Sequence, residues 1–228
     1  MIIWSIFWKN DMNLRYVFIL LTSITPLVTY SQDRVNKQEI YRNWIEDERT
    51  YGYKNQFDSL TVRFIDNLKN SGVDTIGVFK SESVGAVTTD SCRCGLIPWD
   101  TCVQWVKNGI SFHQKITKCC EFRPIKIESS ALIRYYVNCK TEIDKSRILP
   151  VITGAYRNQK GHLIFEMIVV DHTTHYTIFC DLNGHYRLIK FQSEYLTNEN
   201  NIFYKENNQS IINSWKEIIK SQISELDN

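Results

Sequence analysis

A chain of 228 residues, 43% of them hydrophobic and 13% aromatic, has the length and the apolar content for one domain with a sizeable core. Its 27 basic and 25 acidic side chains leave a formal net charge of +2, which is no electrostatic footprint for nucleic acid or an anionic membrane surface.

Residues 12–31 set the compartment. A basic start at Arg15 runs into an apolar stretch over 16–28 and ends in Thr29, Tyr30 and Ser31 before Gln32. That order predicts a secretory signal peptide cut after Ser31. Residues 1–11 are apolar first and charged later, the reverse of a signal peptide's opening. They read as a mis-assigned upstream start, with translation beginning at Met12. A spanning helix needs roughly 20 apolar residues. Lys9, Asn10 and Asp11 break the run on one side and Pro26 on the other, so no integral membrane anchor is expected after cleavage. Lys9, Arg15 and Asp11 leave with the peptide, and 25 basic against 24 acidic side chains remain.

Residues 32–228 then read as a single exported α+β domain, periplasmic or extracellular. Two helices open it. Over 36–49, Ile40, Tyr41, Trp44 and Ile45 form an apolar stripe; over 56–69, Phe57, Leu60, Phe64 and Leu68 recur at helical steps before Gly72 supplies a stop. Strands follow at 74–80 and 85–88. A cysteine-rich stretch occupies 92–120, and inside it Asn108-Gly109 sits between apolar-rich runs, the signature of a type I′ hairpin.

From 131 to 191 the pattern predicts an antiparallel meander, with strands at 131–137, 149–157, 163–170, 176–182 and 185–191 joined by short turns. A closing amphipathic helix is expected at 210–226, where Ile212, Trp215, Ile219, Ile223 and Leu226 share one stripe. The predicted architecture is an antiparallel sheet with two N-terminal helices and this C-terminal helix packed on it.

Seven cysteines are present. Cys180 alternates with Tyr176, Ile178 and Leu182 on one strand face and reads as a buried small hydrophobe. Export predicts disulfides among Cys92, Cys94, Cys102, Cys119, Cys120 and Cys139. Adjacent Cys119 and Cys120 point to opposite sides of an extended chain and take separate partners. A zinc reading of this cluster with His113 fits poorly, because neither C-x-C nor C-C has the usual ligand spacing.

His162 and His185 are placed at one end of the expected meander, and His172 and His175 at the other. A strand of that length separates the ends by roughly 23 Å, which excludes a four-histidine site. Asp171, His172 and His175 share one turn. Glu166 sits in an apolar strand and is the one candidate general acid, unless it is solvated or meets a cation such as Arg134 or Arg187. No nucleophile elbow, zinc-protease helix or phosphate-cradling glycine loop is present in the sequence.

Trp99, Asp100, Trp105 and His113, carried on the cysteine-rich stretch, form the candidate binding surface, since aromatics on a cross-linked loop make rigid contacts. The alternative for the two tryptophans is a place in the core. The sequence therefore favours a non-enzymatic module binding a protein, glycan or small ligand, with no catalytic residue, cofactor or resident metal called for. Its rivals are a metal-dependent or carboxylate-based hydrolase using Glu166 with Asp171, His172 and His175, and a purely structural envelope protein.

Overall fold

A computed structural model of the chain describes residues 35–44, 53–84, 99–117, 120–170 and 172–227. The expected signal peptide, the strand at 85–88, Cys92, Cys94, Cys119 and Asp171 lie outside these residues.

The two expected N-terminal helices are present as α1 (Lys37–Trp44) and α2 (Ser59–Asn70). Local chemistry fixes both ends of α2. The Asp58 carboxylate accepts from the Thr61 backbone N–H at 2.9 Å and from the Thr61 hydroxyl, satisfying an orphan donor of the first turn. At the other end Gly72 takes φ +80°, Val73 N–H donates to the Leu68 carbonyl at 3.1 Å, and Gly72 N–H donates to Lys69 at 3.0 Å. This is a Schellman stop, which a residue with a Cβ would strain.

Among the described residues eight strands follow: β1 (Thr75–Ser83), β2 (Trp99–Lys107), β3 (Ile110–Thr117), β4 (Ile125–Ile127), β5 (Ile152–Arg157), β6 (Leu163–Met167), β7 (Thr174–Leu182) and β8 (His185–Gln192). Six form one antiparallel sheet in the order β4-β3-β2-β1-β7-β8, and β5 pairs with β6 alone. Asn108 (φ 52°) and Gly109 (φ 74°) turn β2 into β3, while Asn183 (φ 54°) and Gly184 (φ 83°) turn β7 into β8, the positive-φ pairs a type I′ turn demands.

The fold is α+β, as expected, yet the stretch 131–191 is not one meander. Residues 131–137, expected to be a strand, begin helix α3 (Ala131–Lys145). Ser130 caps it by accepting from Ile133 N–H at 3.0 Å. Leu132, Ile133, Tyr136 and Ile143 are buried at three- and four-residue steps while Arg134 and Val137 are exposed, which is helical and not alternating order. Three further helices complete the described chain: α4 (Glu194–Thr197), α5 (Tyr204–Asn208) and α6 (Ile211–Leu226), the last being the expected C-terminal helix.

The main sheet is covered on both faces. On one, α3 and α6 bury Leu132, Tyr136, Ile143, Trp215 and Ile219 against Phe79, Ile178, Cys180 and Ile189. On the other, Phe57 and Ile65 meet Ile76, Val78, Val103, Trp105 and Phe179. Full burial of each large apolar side chain contributes roughly 1.5–3 kcal/mol. A third cluster gathers Ile40, Leu149, Ile152, Ala155 and Phe203 around the small sheet. Buried Asn207 clamps it, with its side chain accepting from Leu149 N–H at 3.0 Å and donating to the Leu149 and Tyr195 carbonyls at 2.8 and 2.7 Å. Among the described residues no helix is long and apolar enough to cross a membrane.

Candidate functional site

Where α3 ends beside the β7–β8 hairpin, the surface opens into a pocket of about 470 Å³. Tyr136, Lys140, Asp144 and Arg147 line it from the helix side, and Gly184, His185, Tyr186 and Arg187 from the hairpin. Its size falls within the range that holds small ligands.

The helix spacing builds one wall. Tyr136, Lys140 and Asp144 recur every four residues and meet on one side of α3, across a kink at Cys139 (φ −116°, ψ 19°). The Tyr136 hydroxyl donates to Asp144 Oδ1 at 3.0 Å, Lys140 pairs with Asp144 Oδ2, and the Lys140 ammonium stands 5.6 Å over the Tyr136 ring. Tyr136 is 1% exposed and stacks on Trp215 at 5.4 Å, which fixes the ring. Burial, together with the bond to Asp144, pushes its phenol well above the ordinary range. Tyr136 is therefore a neutral donor, not a base.

The other wall is guanidinium. Arg147 Nη1 and Arg187 Nη2 both donate to the carbonyl oxygen of Ser146, each at 3.0 Å. Ser146 is the C-cap of α3 with extended backbone (φ −83°, ψ 153°), and its carbonyl oxygen serves as the shared acceptor for both arginines. Both nitrogens lie 3.0 Å from one oxygen, so they are at most about 6 Å apart, where two unit charges repel by about 3 kcal/mol at an effective dielectric of about 20. Lys140, Arg147 and Arg187 thus line the pocket together with one carboxylate, Asp144, that Lys140 pairs.

A second, smaller concavity of about 330 Å³ lies between β1, β2, β3 and α6, lined by Phe79, Ser81, Asp100, Cys102, Lys115, Lys220, Ile223, Ser224 and Asp227. Its charges compensate internally. Lys115 lies 3.5 Å from Asp100 and donates to Asp227 at 3.1 Å, and the two carboxylates keep its ammonium above its ordinary range against the opposing effect of burial. Burial pushes the Cys102 thiol up to about 12, far from a thiolate nucleophile.

No known protein family, curated protein or solved structure matches this chain.

The residues singled out in the sequence scatter. Trp99 and Asp100 begin β2, opposite Glu82 and Ser81, and Asp100 is exposed on the rim of the second concavity. Trp105 is 6% exposed, stacked on Phe112 at 5.4 Å and edge-on to Phe64 at 5.8 Å, so it is a core residue. His113 is 4% exposed, and Gln104 Nε2 lies 3.4 Å from its Nδ1. An amide nitrogen can only donate, so Nδ1 accepts and the ring proton sits on Nε2. Gln104 also accepts from Ser130 Oγ at 2.5 Å and donates to Gln222 at 2.9 Å, closing a buried network between β2, β3, α3 and α6.

Cys102, Cys120, Cys139 and Cys180 stand as free thiols. Glu166 is exposed on β6, beside Gly154, and does not share a sheet with Arg187 on β8. His175 Nε2 lies 3.2 Å from Gln192, and His172 is exposed. Among the described residues no cluster of three metal-ligating side chains occurs. The pocket residues escaped the sequence reading because their fourfold spacing on 136–144 is visible only once that segment is read as a helix. Their partners arrive from a hairpin distant in the chain.

Proposed function

We propose that this chain is an exported, non-enzymatic binding module and that its ligand is a small anion seated between α3 and the β7–β8 hairpin. One observation carries the reading: two guanidiniums anchored on the single carbonyl oxygen of Ser146, with Lys140 beside them, converge on a hollow of about 470 Å³. Side chains held by backbone before a ligand arrives lose little freedom on binding, which is what makes a receptor rather than an incidental charge cluster. The neutral Tyr136 hydroxyl and the exposed Tyr186 ring supply polar and stacking contacts at its edges. Export rests on the order of residues 12–31.

Isothermal titration of the purified protein with small anions and with neutral compounds of matched size tests it. Anions bind, neutral compounds do not, and Arg187→Ala weakens the anions while the fold, checked by circular dichroism, persists. Binding that ignores Arg187 and Arg147, or turnover of a bound compound, overturns the reading.

A further inference from the structure

Two Asn-Gly turns in this fold share a backbone and differ in what holds it. Asn108 (φ 52°) and Gly109 (φ 74°) close β2 onto β3, and Asn183 (φ 54°) and Gly184 (φ 83°) close β7 onto β8. All four residues are exposed. Asn-Gly is also the dipeptide in which the second backbone nitrogen reaches the preceding side-chain amide most readily, because glycine has no Cβ to hinder the approach.

We infer that Asn108 is a site of spontaneous covalent modification, and that Asn183, with the same local chemistry, is protected by Asp181. In the reaction Gly109 N bonds to Asn108 Cγ and loses its proton, the Cγ–Nδ2 bond breaks, and ammonia leaves. Water then opens the cyclic imide at either carbonyl, giving aspartate or isoaspartate. Attack requires the Asn-Gly peptide plane to swing its nitrogen onto the side chain, so a bond that fixes the glycine N–H opposes it.

Asp181 supplies that bond. Its Oδ1 accepts from Gly184 N–H at 2.8 Å, the residue is 1% exposed, and Lys69 pairs with its other oxygen. Asn183 N–H donates to the Asp74 carbonyl at 2.8 Å, so the peptide planes on both sides of Asn183 are held. Among the described residues no protein group accepts from Asn108 N–H or Gly109 N–H.

The consequences differ accordingly. Conversion at Asn108 adds a negative charge beside Lys107. Isoaspartate also inserts its β-carbon into the main chain, which a two-residue type I′ loop does not accommodate, so the Lys107–Ile110 pair closing the hairpin loosens. The protected turn carries Gly184 and His185 into the larger pocket, which ageing leaves intact.

Incubating the full chain at physiological temperature and following both sites by peptide mass spectrometry tests the inference. Asn108 is expected to convert roughly tenfold or more faster than Asn183, since a hydrogen bond to a charged group must open before the slower site can react. In urea the two rates should converge. Asp181→Ala, where circular dichroism shows the fold intact, should bring Asn183 up toward the rate of Asn108. Equal rates in the folded protein overturn the inference. A gap that survives in urea also overturns it, because flanking sequence would then set the rates. So does an Asn183 that stays slow in folded Asp181→Ala.

Discussion

Leu132 occupies the space that a side chain at Gly77 would need. A Cβ built on Gly77 overlaps the Leu132 δ-methyl and stands 3.2 Å from Ile133 Cγ1, because α3 crosses directly above β1 at this point. Leu132 is fully buried, so it has nowhere to withdraw. Gly77→Ala should therefore destabilise by about 1–3 kcal/mol, the usual cost of overpacking a filled core. Urea denaturation measures it, with a lowered midpoint and an unchanged slope. A midpoint equal to the parent's would mean that α3 does not sit against β1 as described.

That contact also shows what was legible in the chain and what was not. Signals that act over a few residues read correctly: Gly72 as a helix stop, Asn108-Gly109 as a hairpin turn, Ile212 to Leu226 as one helical stripe. Residues 131–137 misled because Ile133, Tyr135, Tyr136 and Val137 all favour strands intrinsically, and their helical period shows only when Cys139 and Ile143 are included. Cys180 was legible as a core residue, and burial does push its thiol upward. The insertion of β1 between β2 and β7 leaves no local trace, since it depends on which apolar faces meet. The pocket depends on that pairing in turn, so its residues could not be assembled from the sequence.

The buried network around His113 makes stability depend on pH in a definite direction. Burial, more than the attraction of nearby Asp227, holds the His113 pKa below its ordinary value of 6.5, with Lys115 adding to the depression. Protonation would also place an N–H against the Gln104 amide donor. Between the ordinary value and the depressed one the unfolded chain binds the extra proton, so this contribution is intact above about pH 6.5 and is lost as pH falls below it. His113→Gln should flatten the fall in stability between about pH 6.5 and 5 relative to the parent. An unchanged pH profile, or a proton titration of the folded histidine at or above 6.5, contradicts the assignment.

Tyr136 joins the core to the pocket, and its two roles can be separated. Tyr136→Phe keeps the stack on Trp215 and removes only the hydroxyl that donates to Asp144 at 3.0 Å. The loss should be about 0.5–1.5 kcal/mol, the worth of one hydrogen bond. Tyr136→Ala removes the ring as well and should cost about 3–5 kcal/mol through the cavity it leaves. Thermal unfolding of the pair distinguishes these outcomes. Equal losses for both would show that the ring contributes nothing beyond its hydroxyl.

The thiols should react in an order set by burial. Cys120 is exposed, whereas Cys102 and Cys180 are 3% and 0% exposed, and burial raises the Cys102 thiol to about 12. Alkylation attacks the thiolate, whose population at about pH 8 is negligible for a thiol so displaced. In the reduced native protein iodoacetamide should therefore modify Cys120 within minutes and spare Cys102 and Cys180 until the fold opens. Peptide mass spectrometry of a time course reads the order directly. Because the proton is held more tightly in the folded state, raising the pH above the ordinary thiol value should weaken the fold, and the labelling of Cys102 should accelerate there together with global unfolding. Cys102 labelling as fast as Cys120 at neutral pH would mean that the thiol is open to solvent and that β2 does not lie beneath α6.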